Sequence, residues 1–274
     1  MSAVQGSDAV DIRHYYYKFS EIHLNSSLLT VLFAAGFLAF AVFLSIPYIW
    51  TATPVFMFLS ILSFGRHIMY RKKGASVPAK VGLHEGPLLN EKNVLMAFLP
   101  SAALHMLLFH PNGRLLGVIK DQPKQWRFSV LPYFATQFFS RTYVLENQHG
   151  ELLATFKTGG ILQNNMKVFG GGGEFLGQYK ESTRDSFIRY KGLFLQRDGE
   201  TVADVDVSPF LHTFSLASTD GVPIASYQKG YLPMEWANKF KPNTPVLSFS
   251  ESASTVQQLY AYGICTRLFA YKST

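Results

Sequence analysis

With 274 residues and 30.8 kDa, the chain is long enough for one large domain, or a smaller one with appendages. Hydrophobic residues make up 48% and mean hydropathy is +0.10, high for a soluble protein, while a net charge of +7 points to an anionic partner such as lipid or nucleic acid. The single cysteine, Cys265, excludes an intramolecular disulfide framework and a cysteine-rich zinc site, and fits a reducing compartment.

Residues 1–27 read as a polar arm with an aromatic cluster, HYYYKF, at His14 to Phe19. The run from Ser27 to Trp50 then carries no charge. About 20 apolar residues cross the ~30 Å hydrocarbon core of a bilayer, so Leu28 to Ile46 reads as a transmembrane helix. A signal peptide competes less well, because no basic segment opens the chain and a second apolar run follows, Thr53 to Tyr70. Pro47 and Pro54 bracket a tight connection, and Tyr48 and Trp50 suit a membrane interface, so 28–70 is expected to form a helical hairpin. The alternative is one crossing followed by an interfacial segment. Arg66, Arg71, Lys72, Lys73 and Lys80 precede the next acid, Glu85. The positive-inside rule therefore places the C-terminal part in the cytoplasm and, for a hairpin, the N-terminal arm with it: a cell-membrane protein crossing twice. Arg66, Arg71, Lys72 and Lys73 also form a candidate site for anionic headgroups, at roughly 1 kcal/mol per basic residue. The competing reading makes them topology signals only.

Residues 71–92 read as a basic linker, Gly/Pro-rich from Gly74 onwards, and 93–274 as the folded domain. Asn93 to His110 is apolar enough to resemble a third membrane segment, but Pro100 and His105 interrupt it and buried strands fit better. An eight-residue pattern then recurs: GRLLGVIK from Gly113, GELLATFK from Gly150, GEFLGQYK from Gly173, GETVADVD from Gly199 and GVPIASYQ from Gly221. Each follows a turn cluster and a β-rich run, and each reads as a β-hairpin whose glycine supplies positive φ. Uneven spacing argues against a solenoid, and the density of hairpins suggests a barrel or sandwich. Strand period two predicts that positions two, four and six of each unit share the inward face, with Gly or Ala always at position four. A strand VLPYFATQFF is expected between the first two copies, and a helical turn in YLPMEWANKF, around Trp236, before a strand that ends at Ser250.

Residues 255–271 read as a helix capped by Ser254, with polar residues scattered around it, which suits a buried helix. A last strand is the rival, since Tyr260, Tyr262 and Ile264 also alternate. Small inward residues would leave a closed barrel room for a helix on its axis. The hairpins, the GYLPMEWANKFKPNTPVLSF segment and the apolar C-terminal helix together resemble the tubby C-terminal-like superfamily, which includes plant LURP-one-related proteins and phospholipid scramblases. That resemblance implies a mainly β fold, a closed antiparallel barrel of about twelve strands around the central C-terminal helix.

The chemistry-bearing residues give little. Gly170 to Gly173 join two strands and read as a hairpin turn, not a phosphate cradle. Asp198, Glu200, Asp204 and Asp206 alternate as a solvated face does. The eight histidines lack ligand spacing, and no nucleophile motif is present, so no catalytic residue, metal or cofactor is assigned. The basic residues Lys180, Arg184, Arg189 and Lys191, with Lys120, Lys157 and Lys180 at position seven of three units, suggest a barrel rim for anionic lipid headgroups. Ordinary solubilising charge is the competing explanation. The leading expectation is a membrane-anchored, non-enzymatic binding module for anionic lipid or a protein partner, with scramblase-like lipid transport as the alternative. Nucleic acid is not expected, because the basic residues do not interleave with aromatics in a recognised module.

Overall fold

The computed structural model describes residues 11–44, 50–78, 86–100, 104–122, 140–160, 165–182, 190–208 and 212–270. The chain divides into two compact units, Val10–Val81 and the part from Gly82 onwards.

The first unit is a pair of helices, α1 (Ile12–Leu44) and α2 (Ala52–Ser76). At 1.5 Å per residue they are roughly 50 and 37 Å long, and both are apolar enough to span a membrane. Helix α1 begins at Ile12, so much of the polar arm is helical. The buried face of α1 includes Ser20, Ser27, Ala34 and Ala41, and that of α2 Ser60, His67 and Gly74. These positions recur every seven residues, the period of a left-handed helix pair, and all but His67 are small, which lets the backbones approach closely. Ser27 and Ser60 fix the register. Their hydroxyls lie 2.9 Å apart, and each bonds the other's carbonyl at 3.1 Å. One step nearer the basic end, Ser20 Oγ lies 2.8 Å from His67 Nδ1. The outward residues, among them Leu32, Phe43, Phe58 and Ile61, are exposed apolar side chains, as a lipid-facing surface requires.

The second unit is a closed antiparallel barrel of twelve strands: β1 (Asn93–Phe98), β2 (His105–Phe109), β3 (Leu115–Asp121), β4 (Arg141–Asn147), β5 (Leu152–Thr158), β6 (Asn165–Gly170), β7 (Phe175–Ser182), β8 (Tyr190–Leu195), β9 (Thr201–Val207), β10 (Thr213–Ser218), β11 (Pro223–Gln228) and β12 (Val246–Phe249). Each strand pairs with its neighbour in sequence, and β1 closes on β12 through Asn93–Ser248, Val94–Leu247 and Leu95–Val246. The expected strand VLPYFATQFF falls outside the described residues. Between β11 and β12 lies one helical turn, α3 (Met234–Ala237), and β12 is followed by a helix, α4 (Thr255–Ala270).

Five hairpins share one turn. Gly113, Gly150, Gly173, Gly199 and Gly221 all have φ between 77° and 98°, and each donates its N–H to the carbonyl three residues earlier. A bulge follows every one. Leu145 faces Ala154 but Glu146 faces Leu152, leaving Leu153 as an extra residue, and the same shift recurs in the other four. This corrects the face assignment drawn from strand period. Position two turns outward, so Leu152 is exposed and Phe175 meets Phe169 on the outer wall, while position three (Leu116, Leu153, Leu176, Val202, Ile224) packs on the core. Positions four and six point inward as the pattern predicts.

Helix α4 lies in the core, with nearly every residue from Gln258 to Ala270 buried on all sides. The helical reading thus holds over the strand alternative. Its start is a capping box: Gln257 N donates to Ser254 Oγ at 3.3 Å, and Ser254 N donates to Gln257 Oε1 at 2.9 Å. Tyr260 stacks on Phe194 at 4.3 Å and donates its hydroxyl to the Leu176 carbonyl at 2.8 Å. Added methyls show how tight the fit is. At Gly177 a Cβ would lie 2.7 Å from the Tyr260 hydroxyl and 2.8 Å from the Leu195 carbonyl, and at Gly263 it would lie 2.7 Å from Met166 Cε.

Candidate functional site

The topology gives the barrel two unlike ends. All five glycine turns lie at one end, together with the start of β1 and the segment leading into α4. The connections β1–β2, β3–β4, β5–β6, β7–β8, β9–β10 and β11–β12 lie at the other. Charge divides the same way. Glu151, Glu174, Asp198, Glu200 and Asp220 surround the glycine turns, against Arg114, Arg197 and Lys92, the last of which pairs with Glu251. Besides Asp121, Glu181 and Asp206, the connection end carries the lysines of β3 and of β5 to β8.

Register makes a stripe of them. Lys157 on β5 sits directly opposite Lys167 on β6. Lys167 faces Gln178, two residues before Lys180 on β7, and Lys180 faces Leu193, two residues beyond Lys191 on β8. All four side chains are exposed on the outer wall, because the alternating residues Phe156, Met166, Val168, Tyr179 and Phe194 take the inner one. None of the four makes an ion pair among the described residues. Like charges placed opposite each other across a sheet cost roughly 0.2–1 kcal/mol, so the Lys157–Lys167 pair is held at some expense to stability, whereas Lys191 has Asp206 opposite it. Lys157 is partly offset by the Phe169 ring, whose centroid is 4.3 Å from its Nζ. Lys120 stands apart from this set because Glu146 holds its ammonium at 2.7 Å.

Of the residues singled out from sequence, Lys180 and Lys191 therefore share a face, one diagonal step apart. Arg184 and Arg189 lie outside the described residues. Arg66, Arg71 and Lys72 are exposed on the last turns of α2, and Lys73 is half-buried. Lys167 was missed, although its place in the alternating run NMKVF already puts it on the side opposite Met166 and Val168. Asp204 and Asp206 lie on the outer face of β9, with Asp206 opposite Lys191. Among the described residues, no cluster of histidine, cysteine or carboxylate side chains could hold a metal ion.

The interior is arranged for packing. Burial pushes the Cys265 thiol and the Tyr262 phenol well above their ordinary pKa values, so both stay neutral. Arg267 ends the core helix near the connection end, where it pairs with Glu181 at 3.0 Å. Asp121, at that same end, has its pKa raised by burial despite the Arg141 guanidinium 3.8 Å away.

A solved X-ray structure of a protein from Arabidopsis thaliana is similar to this chain. It shows 14% identity and a TM-score of 0.42, covering 68% of this chain and 99% of that one. No protein-family model and no curated protein sequence matches.

Proposed function

We propose that this protein is a membrane-anchored, non-enzymatic binding module of the tubby C-terminal-like kind, whose barrel binds anionic lipid headgroups at the cytoplasmic leaflet. The observation that carries the reading is the stripe Lys157–Lys167–Lys180–Lys191, four exposed ammonium groups across adjacent strands, with Lys157 and Lys167 directly opposite each other and only Lys191 facing a carboxylate, Asp206, across the sheet. A multivalent anionic surface relieves that repulsion, and the helical hairpin supplies such a surface by holding the chain at a bilayer. Arg66, Arg71, Lys72 and Lys73 extend the same preference to the basic end of α2.

The test is co-sedimentation of a fragment covering 86–274, checked for cooperative unfolding, with vesicles of phosphatidylcholine alone or with phosphatidylserine. Binding that requires phosphatidylserine and weakens with salt supports the reading. Charge reversal at Lys157 and Lys167 should then weaken binding by about fivefold or more per residue, following roughly 1 kcal/mol for each basic side chain. A folded fragment that ignores phosphatidylserine at low salt would leave a protein partner as the function of this face. Lipid flip by the reconstituted whole chain, lost on replacing 28–70 with an unrelated anchor, would favour the transport alternative.

A further inference from the structure

Apart from the lysine stripe, the described residues of the barrel unit offer one further surface, where apolar side chains stand most exposed to water. Met234 is 92% exposed and Tyr231 76%, whereas no other large apolar side chain among the described residues of this unit exceeds 50%. Both belong to the segment between β11 and β12, which leaves the barrel at its connection end. This segment is fixed in place. Phe240 is fully buried against Phe109 with ring centroids 6.1 Å apart, Trp236 N donates to the Pro233 carbonyl at 3.0 Å, and Phe240 N to the Trp236 carbonyl at 2.9 Å. An anchored support thus holds a methionine and a tyrosine in solvent, with Leu232 and Trp236 half-buried beside them.

We propose that Tyr231 and Met234 insert into the headgroup–acyl boundary of the bilayer that holds the helical hairpin, giving the barrel a second point of attachment. Three features select a bilayer as the occupant. The segment is flanked by Lys229, Lys239 and Lys241 and carries one acid, Glu235, which complements an anionic leaflet. Tyrosine and tryptophan beside an apolar tip are the side chains that favour a membrane interface. The membrane is also within reach: the ten peptide units from Val77 to Pro87 extend to at most roughly 35 Å, while a seven-residue strand rises roughly 23 Å. The inference rests on the reading that the barrel works at the bilayer, but not on the lysine stripe.

The experiment uses the whole chain reconstituted in phosphatidylcholine vesicles with and without phosphatidylserine. An environment-sensitive fluorophore is placed at Met234→Cys, at Leu193→Cys beside the lysines, or at His149→Cys in a glycine turn at the opposite end. Insertion predicts blue-shifted emission at 234 and quenching by spin-labelled lipid several-fold stronger than at 149. Blue-shifted emission at 234 in both vesicle types supports insertion even if the label at 193 ignores phosphatidylserine, which would count against the headgroup reading alone. A label at 234 that stays aqueous while 193 responds to phosphatidylserine overturns the insertion and leaves the headgroup reading standing. An aqueous signal in pure lipid that becomes protected only in native membranes overturns it in favour of a protein partner. Both side chains are exposed, so replacing them leaves the barrel's packing intact.

Discussion

Replacing Gly177 with alanine tests whether the C-terminal helix fills the barrel as described. The new methyl would lie 2.7 Å from the Tyr260 hydroxyl and 3.2 Å from its Cζ, and 2.8 Å from the Leu195 carbonyl, a backbone atom that cannot swing aside. Overpacking of this kind costs typically 1–3 kcal/mol. Restricting the unfolded chain returns about 0.4–1 kcal/mol, so a net loss of roughly 1–2 kcal/mol follows for Gly177→Ala. Tyr260→Phe removes the nearest of the three contacts but also the hydrogen bond to the Leu176 carbonyl, costing about 1 kcal/mol alone. In the double variant these effects must couple, by roughly 0.5 kcal/mol or more. Urea unfolding of the full chain in detergent, followed by circular dichroism, measures all three. Gly150→Ala is the control: its φ is +80° and no atom lies within 4 Å of the added Cβ, so it should cost about 1–2 kcal/mol from backbone strain and show no coupling to Tyr260. A Gly177→Ala protein as stable as the parent, or one that couples to Tyr260 no more than Gly150→Ala does, would refute the packing of helix against wall.

Other outcomes follow from the same core. Arg267→Met strands the Glu181 carboxylate in a nearly closed site, which costs about 3–5 kcal/mol, and adding Glu181→Gln should recover part of it in a urea titration. Ser254→Ala removes the cap of α4 and should cost about 1 kcal/mol in the same assay. Cys265 should resist maleimide in the native protein and react fully in denaturant. Its folded pKa and that of Tyr262 are raised, so the stability they contribute is complete below the ordinary thiol value and is lost as pH climbs above it. Stability measured from pH 8 to 11 should therefore begin to fall near pH 9, and Cys265→Ala should move the onset towards pH 10.

The turns, the helical hairpin and the core helix were legible because each depends on a local signal. The glycines reveal a backbone conformation, the uncharged run reveals a membrane length, and Ser254 with Gln257 reveals a helix start. The bulges were not legible by period, because one extra residue reverses every face assignment before it. Their trace was nevertheless present: adjacent positions two and three are both apolar in LL, LL and FL, where a regular strand would alternate. The apolar run Asn93–His110 had a different cause. Leu95, Ala97, Leu107 and Phe109 point away from the inner core yet are buried, with Phe240 packed against Phe109, so β1 and β2 are apolar on both faces. The lysine stripe needed the pairing register, since Lys157 and Lys167 become neighbours only when β5 and β6 align.

The two ends of the barrel differ in how freely they can vary, and that bears on where binding resides. At one end the same short turn is used five times, its geometry fixed by a glycine at positive φ and its bulge closed by the next strand. Such turns leave little room for insertions or new side-chain arrangements. The other end is made of connections of unequal length, including the stretches after Asp121 and after Gln228; the lysine stripe lies on the strands that lead to it, and the exposed Tyr231 and Met234 belong to the connection after Gln228. Binding residues gather on variable connections held by a rigid scaffold. The asymmetry therefore predicts an unequal response to equal changes in charge. Reversing Lys180 and Lys191 should abolish most phosphatidylserine-dependent binding, whereas reversing Arg114 and Arg197, an identical loss of positive charge at the turn end, should leave it nearly intact. Equal loss from both pairs in vesicle co-sedimentation would mean that net charge alone drives association, and the stripe would then lose its role as a site.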